Sequence, residues 1–274
     1  MWTSPDDLVP VLGPTAHELL ARLRAVEAEH DVRVLYAIES GSRAWGFASP
    51  NSDFDARFVY VHRTDCYLSV AYEDRRDVIE YPIVDDVDLN GWDLRKALRL
   101  FWKSNPALVE WLQSPIVYAE VGTFAQRLRA LLPRIYSVER GVQHYRSMAT
   151  TNWRGYLRAE QVPLKKYFYV LRPLLAVRWL ECHGTAAPIE FGKLLHLVDD
   201  QPALRADIDE LVRRKRAAPE LGLSAPIASI DAFIASELER LESLAPPRED
   251  RADMLSALDG VFRACLDEAW TSAR

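Results

Sequence analysis

Two short apolar stretches near the start of the chain have the pattern of buried β-strands. Residues 32–38 are rich in β-branched and aromatic side chains, and residues 56–61 form a second run of the same kind. The polar segment between them holds a Gly-Ser pair and an Asp-x-Asp pair, formed by Gly41, Ser42, Asp53 and Asp55. The pattern predicts a strand, a Gly-Ser turn, a short linker and a second strand.

A third apolar stretch, residues 84–89, is predicted to form the next strand. Because side chains alternate along a strand, Asp86 and Asp88 should lie on one face and Val87 and Leu89 on the other. This strand therefore offers two further carboxylates on a single face.

Helical patterns surround the predicted strands. Residues 14–29 have apolar positions at helical intervals, with Thr15 placed as the N-cap and Glu18 as its capping-box partner. Asp93 is predicted to cap a second helix, and Asn105, which precedes a proline, a third.

After residue 118 the chain shows only helical patterns separated by turn signals. The sequence thus predicts an α+β protein of two domains. These are a catalytic core of residues 1–118 and a helical domain of residues 119–274.

The spacing of the acidic pair predicts a metal site. Asp53, Asp55 and Arg57 should project from one face of the second strand. Two carboxylates so close repel each other unless a cation lies between them, and a hard divalent ion such as Mg²⁺ (or Mn²⁺) suits oxygen ligands. The Gly41-Ser42 pair lets the backbone approach a phosphate chain closely. Together they predict a site for the two ends of one nucleoside triphosphate.

The Gly-Ser pair and the Asp-x-Asp pair together resemble a known family signature. Residues 41–46, followed by Ser52, Asp53 and Asp55, resemble the signature of the polymerase-β-type nucleotidyltransferases. The wording ESGSRAWG at residues 39–46 and NGWDLRK at residues 90–96 is similar to the predicted nucleotidyltransferases of the YcgL/RlaP group, which is associated with RNA repair. The resemblance implies a small mixed β-sheet core with flanking helices, followed by an all-helical C-terminal domain.

The resemblance also implies a third carboxylate on the strand after the Asp-x-Asp strand. Asp88, between two apolar residues, fits this pattern best, and Asp86 is the alternative. Asp53, Asp55 and Asp88 are then the expected catalytic residues and metal ligands.

Nucleotide-binding residues follow from the same resemblance. Gly41 and Ser42 would orient the triphosphate, while Arg43 and Arg57 are candidates for stabilising charge in the transition state. Arg57 alternatively pairs with Asp55.

The helical half has one cationic and phenolic stripe. Lys165, Tyr169 and Arg172 recur at helical spacing on an otherwise apolar segment. Two-domain nucleotidyltransferases commonly bind the β- and γ-phosphates with such groups, so the resemblance implies a phosphate clamp. The alternative is a helix face that pairs with surface acids. The basic run at residues 213–216 is interpreted as a solvated helix face.

Composition excludes some classes of protein. The 274 residues carry a formal charge of −6, so bulk attraction to nucleic acid is not expected and any such contact must be local. The N-terminus lacks the features of a signal peptide, and no run reaches the length of a membrane span. Three widely spaced cysteines suit reduced thiols. We expect a cytoplasmic protein of undetermined oligomeric state.

The predicted function is transfer of a nucleoside monophosphate from an NTP to an acceptor hydroxyl, with release of pyrophosphate. The resemblance favours an RNA end as acceptor, with proteins and small molecules left open, and it does not indicate which base is preferred. Two alternatives are a non-catalytic nucleotide-binding regulator, or a partner protein of the toxin-antitoxin type.

Overall fold

A five-stranded mixed sheet organises the N-terminal half of the computed structural model, which describes residues 1–217, 222–243 and 254–271. Its strands are β1 (Arg33–Glu39), β2 (Phe54–Val61), β3 (Val78–Glu80), β4 (Val87–Asp93) and β5 (Val117–Glu120), in the order β3-β4-β2-β1-β5. Strands β2 and β4 are parallel, and the other neighbours are antiparallel. The predicted mixed sheet is confirmed.

The third predicted strand begins later than expected. Val84 forms an isolated bridge with Val87, which closes a tight turn, and Asp85 and Asp86 have positive φ angles of 52° and 61°. The regular strand β4 therefore starts at Val87. Asp86 lies in the turn and Asp88 in the strand, on the half-exposed face of an alternating burial pattern.

Helices cover both faces of the sheet. Helices α1 (Pro5–Leu12) and α2 (Thr15–His30) pack on the face that carries Phe54, Ala56 and Phe58 of β2. The opposite face is covered by α5 (Leu94–Trp102), α6 (Pro106–Trp111), α7 (Phe124–Ile135) and α12 (Leu255–Thr271). Two short connections are also helical, namely α3 (Gly41–Trp45), where a turn was expected, and α4 (Thr64–Tyr67), which precedes a 3-10 turn at Tyr72–Asp74.

Two of the three predicted caps are confirmed. The side chain of Asp93 accepts a hydrogen bond from the backbone N–H of Arg95, and that of Asn105 accepts one from Leu108. The capping box of α2 was wrong. Thr15 is the first helical residue, and Glu18 binds Arg22 at 2.8 Å instead.

The C-terminal half is built mainly from helices, as predicted. They are α8 (Val138–Tyr156), α9 (Lys165–His183), a 3-10 stretch at Phe191–Val198, α10 (Pro202–Ala217) and α11 (Ala228–Glu242). Helix α9 is the centre of this half, because nearly all of its residues from Tyr167 to Val177 are buried among the other helices. One detail departs from the all-helical expectation: β6 (Val162–Pro163) and β7 (Leu223–Ser224) form a small antiparallel pair.

The expected boundary after residue 118 falls inside β5, the edge strand beside β1. Two helices from the second half, α7 and α12, pack on the sheet with β1 and β2. A division into domains of residues 1–118 and 119–274 stays a prediction. Within the described ranges, no helix has both the length and the apolar character required to cross a bilayer.

Candidate active site

The acidic residues of the signature lie at one end of the sheet. Asp55 on β2 and Asp88 on β4 are register partners on parallel strands, and Asp53 is exposed just before β2. Asp86 is close to them, since its backbone oxygen accepts a hydrogen bond from the N–H of Phe54 at 2.7 Å. The register of β2 and β4 therefore places Asp55 and Asp88 side by side, whereas Asp53 and Asp86 lie just before these strands.

Arg57 lies between the two strand carboxylates. Its Nη2 is 2.9 Å from Oδ1 of Asp55 and 2.7 Å from Oδ2 of Asp88, and its Nη1 donates to the backbone oxygen of Asp88 at 2.9 Å. The alternative in which Arg57 pairs with Asp55 therefore holds. Its charge offsets the repulsion between the two acids.

The protonation of Asp55 reflects these neighbours. Burial raises the pKa of the Asp55 carboxyl, the guanidinium of Arg57 opposes that rise, and the negative charges of Asp53 and Asp88 add to it. Asp55 is thus an acid whose ionised form gains from any further cation placed beside it.

Glu39 helps to position Asp55, a role that the sequence analysis did not predict. The side chain is fully buried at the end of β1, where its Oε1 accepts the backbone N–H of Asp55 at 2.9 Å and its Oε2 accepts the hydroxyl of Tyr118. Burial raises the pKa of Glu39 to about 7. The available signal was a charged residue ending an otherwise apolar strand.

Gly41 brings the backbone against the Asp55 carboxylate. Its φ is +56°, and a Cβ atom at this position would lie 1.8 Å from Oδ2 of Asp55. Only glycine fits, for reasons of both backbone conformation and space. Helix α3 starts here, so the predicted Gly-Ser turn is the first turn of a short helix.

Arg43 stabilises the loop before β2. Its Nη2 donates to the backbone oxygen of Ser52 at 2.6 Å, its Nε donates to that of Asp53 at 3.2 Å, and the guanidinium lies 3.9 Å from the centre of the Phe54 ring. In this structure Arg43 therefore fixes the position of Asp53.

A cleft of about 410 Å³ separates this end of the sheet from the helical half. The cleft is lined by five of the predicted residues, namely Ser42, Asp53, Asp55, Lys165 and Tyr169. Other lining groups include Trp45, Asp86, Phe168 and Lys215, whereas Arg43, Arg57, Asp88 and Arg172 are not among the described residues of its wall. Aromatic contacts join the two sides. Phe47 stacks on Phe168 with 4.3 Å between the ring centres, and Trp45 contacts Tyr169 edge-on with 5.5 Å between the ring centres.

Tyr169 faces the acids across this cleft. Burial raises the pKa of its phenol, and the charges of Asp55 and Asp53 add to the rise. Lys165, one turn earlier on α9, is exposed to the same cleft. Two of the three residues of the predicted stripe, Lys165 and Tyr169, therefore line the cleft next to the acidic residues.

Arg172 does not reach the cleft with them. It is 4% exposed, its Nη2 is 2.9 Å from Oε2 of Glu110, and its guanidinium lies 4.4 Å from the centre of the Trp45 ring. Seven residues along an α-helix amount to about 10 Å, which carries Arg172 past the opening and into the interior. The hydroxyl of Tyr145 completes the cluster by donating to Oε1 of Glu110 at 2.8 Å.

Lys215 is the cationic residue that sequence reasoning assigned to solvent. It lies on α10, lines the cleft and donates to Oγ of Ser49 at 3.3 Å. Arg213, two residues earlier, follows the predicted solvated arrangement, with its Nη2 2.6 Å from Glu210. Within the run at residues 213–216, Arg213 thus lies on the surface and Lys215 in the cleft. This difference depends on how α10 docks against the loop after α3.

The donor set of the cleft suits a hard divalent cation. Three carboxylates, Asp53, Asp55 and Asp86, line it, and carboxylate oxygens are preferred ligands of Mg²⁺. In the described part of the chain, no group of three acidic, histidine or cysteine side chains is arranged as a complete metal cluster. The protein residues therefore fit an ion whose remaining ligands come from a substrate and water, as is usual for Mg²⁺ at phosphate sites.

Comparisons with known proteins identify the family of the chain. The model of the family "RlaP: RNA repair pathway DNA polymerase beta family" matches residues 16–264. "Uncharacterized protein YcgL" of Bacillus subtilis (strain 168) is 46% identical over 253 residues, which are 92% of this chain and 96% of that protein. A crystal structure of a nucleotidyltransferase-like protein from Exiguobacterium sibiricum 255-15 aligns over 91% of this chain and 90% of that chain, with 13% identity and a TM-score of 0.33. The chain belongs to the RlaP family, whose model is described as a DNA polymerase beta family of an RNA repair pathway.

Proposed function

We propose that the protein is a metal-dependent nucleotidyltransferase that transfers a nucleoside monophosphate from an NTP to an acceptor hydroxyl, an RNA end, with release of pyrophosphate. One observation carries this proposal: a single cleft has carboxylates on its sheet side, Asp53 and Asp55, and lysines on its helical side, Lys165 and Lys215. A magnesium-bound triphosphate presents a cation to one wall and anionic phosphates to the other. The volume of the cleft is within the range of small-molecule sites.

The carboxylate wall would hold the divalent ion. Asp53 and Asp55 supply oxygen ligands, and Asp55 gains most because its carboxylate is half-buried beside other acids. A bound Mg²⁺ or Mn²⁺ neutralises charge on the phosphates and lowers the pKa of an attacking hydroxyl. Glu39 and Gly41 position Asp55 from two sides, through its backbone N–H and its Oδ2 respectively.

The lysine wall would bind the outer phosphates. Lys165 and Lys215 offer charge-assisted hydrogen bonds, and the Tyr169 hydroxyl offers a further donor. Ser42, at the start of α3, would orient the phosphate chain between the two walls. Arg172 acts at a distance in this scheme, since it holds Trp45 and α9 in place.

In the reaction, the acceptor oxygen forms a bond to the α-phosphorus, and the bond from this phosphorus to the β-phosphate bridging oxygen breaks. Pyrophosphate leaves with the bonding electrons. Asp88 takes the hydroxyl proton on Oδ1, the oxygen opposite to the one that Arg57 binds. Arg57 then stabilises charge from behind Asp55 and Asp88, a role supported by its contacts with both.

Transfer assays test the proposal directly. The protein is incubated with each labelled NTP in turn, with magnesium or manganese, and with either RNA or total cell extract as acceptor. We expect label on RNA, release of pyrophosphate, and loss of both in Asp53→Asn and Asp55→Asn. Full activity of both variants would overturn the assignment of the carboxylate wall.

A second candidate function is a non-catalytic nucleotide-binding regulator. The contact of Arg57 with both Asp55 and Asp88 favours it, because a fixed cation can replace a second metal ion as counter-charge. This candidate predicts NTP binding without pyrophosphate release under any acceptor condition.

A further inference from the structure

A second cleft, of about 390 Å³, lies between α8 and α11 in the helical half. Its α8 side carries Arg146, Trp153 and Arg154, and Arg158 follows in the next loop. Glu239 and Glu242 of α11 line the opposite side. Trp153 is partly exposed, with its ring packed against the core of this half and open to the cleft.

The arginines of this cleft differ from four other arginines of the helical half, which are paired with acids. Arg178, Arg205, Arg213 and Arg240 each bind carboxylates at 3.0 Å or less. Among the described residues, no salt bridge joins Arg146, Arg154 or Arg158 to an acid, although two glutamates lie across the cleft. Three guanidinium groups are therefore available to an anionic ligand.

A basic and aromatic path connects this cleft with the candidate active site. Tyr156, at the end of α8, has its ring centre 3.9 Å from Nζ of Lys166, which is 4.9 Å from the ring centre of Tyr169. Tyr156 is 47% exposed and Tyr169 is 41% exposed, and Tyr169 lines the first cleft. The chain between Trp153 and Arg158 thus continues the second cleft toward the first.

We propose that Arg146, Arg154, Arg158 and Trp153 bind the acceptor strand, a single-stranded RNA, whose end reaches the carboxylates over the Tyr156, Lys166 and Tyr169 side chains. The guanidinium groups bind phosphates, and the exposed aromatic rings stack with bases. Local placement of this kind accommodates the net charge of −6, since the cations are concentrated on one surface. The inference rests on the proposed function, which names RNA as acceptor.

Equilibrium binding of a labelled single-stranded RNA, measured by fluorescence anisotropy without NTP or metal, tests the site. Arg154→Ala/Arg158→Ala removes two exposed guanidinium groups from the cleft. Arg76→Ala/Arg213→Ala is the matched control, because it removes the same charge from exposed arginines that pair with Glu80 and Glu210 outside the cleft. Thermal unfolding first establishes that both double variants fold.

We expect the cleft variant to lose about ten- to a hundredfold in RNA affinity and the control to lose less than about threefold. The slope of log K against log salt should fall by about one to two units in the cleft variant alone. Equal losses in both variants, or none in either, would overturn the site. Stronger competition by duplex RNA than by single strands would overturn the single-strand assignment.

The test separates this inference from the proposed function. RNA labelling by a cleft variant with wild-type RNA affinity would leave the transferase proposal intact and overturn the binding site. Cleft-dependent RNA binding with no nucleotide transfer would support the binding site and overturn the transferase.

Discussion

Asp55 and Asp88 are register partners on parallel strands, and one nitrogen of Arg57 contacts an oxygen of each, at 2.9 and 2.7 Å. The two acids therefore share a protein cation. This relationship gives the site a built-in counter-charge, which a divalent ion would supplement or replace at Asp55.

Replacing Arg57 should expose the repulsion between these acids. Arg57→Ala should lower the free energy of unfolding of the metal-free protein by about 1–3 kcal/mol, because two partly buried carboxylates lose a charge-assisted partner. Magnesium should then raise the melting temperature of the variant more than that of the wild type. Arg76→Ala, which breaks an exposed pair with Glu80, is the control and should have little effect. An unchanged stability and magnesium response would mean that Arg57 is not the counter-charge.

The identity of the third carboxylate is decided by a pair of asparagine variants. Asp88→Asn should abolish transfer while NTP binding persists, since its proposed role concerns the acceptor proton. Asp86→Asn should retain transfer, although Asp86 lines the cleft. Binding by calorimetry and transfer by label incorporation are measured on both proteins. If Asp86→Asn is the inactive variant, the third carboxylate is in the turn before β4.

Removing a lysine from the lysine wall should weaken the binding of nucleoside triphosphates and leave the binding of monophosphates nearly unchanged. Lys165→Ala and Lys215→Ala should each cost roughly 1.5–3 kcal/mol of NTP affinity, or about one to two decades, with little change for the NMP. Arg213→Ala, on the same helix as Lys215 but bound to Glu210, is the matched control. Parallel titrations with NTP and NMP provide the comparison. Equal weakening for both nucleotides would assign the lysines to the base, the sugar or the α-phosphate.

Arg172 should contribute to the stability of the fold and not directly to NTP binding. Arg172→Ala leaves the buried Glu110 without its cation, a change that costs about 3–5 kcal/mol for a buried pair. Adding Glu110→Gln should recover part of the loss, because the uncompensated charge is removed. Urea unfolding of the single and double variants measures this coupling. Wild-type stability of Arg172→Ala together with weakened NTP binding would instead support a direct role in the phosphate clamp.

Gly41 offers a steric test of the Asp55 position. Gly41→Ala places a methyl group where Oδ2 of Asp55 lies, so transfer should be lost and stability should fall by at least about 1 kcal/mol. Gly46→Ala has a matching backbone strain, with φ of +87°, but open space around its Cβ. The difference between the two variants in NTP affinity and melting temperature therefore isolates the contact with Asp55. Equal behaviour of the two variants would argue against it.

The local features of this protein could be predicted from its sequence. Strands β1 and β2, the caps Asp93 and Asn105, and the common face of Asp55 and Arg57 follow from alternation, helix capping and turn chemistry, which depend on neighbouring residues. The signature around Gly41, Ser42, Asp53 and Asp55 likewise depends on short spacing, and it was sufficient to indicate the family.

Which distant side chains share the cleft depends on how the elements pack, and this could not be predicted from the sequence. Lys215 enters the cleft because α10 docks beside the loop after α3, and Arg172 lies outside it because its side chain is buried against Glu110 of α6. The buried position of Glu39 depends on a hydrogen bond from Tyr118, and Tyr118 lies beside Glu39 only because β5 pairs with β1. Charge and periodicity along one helix cannot distinguish a solvated cation from a cleft cation, because that difference arises from long-range packing.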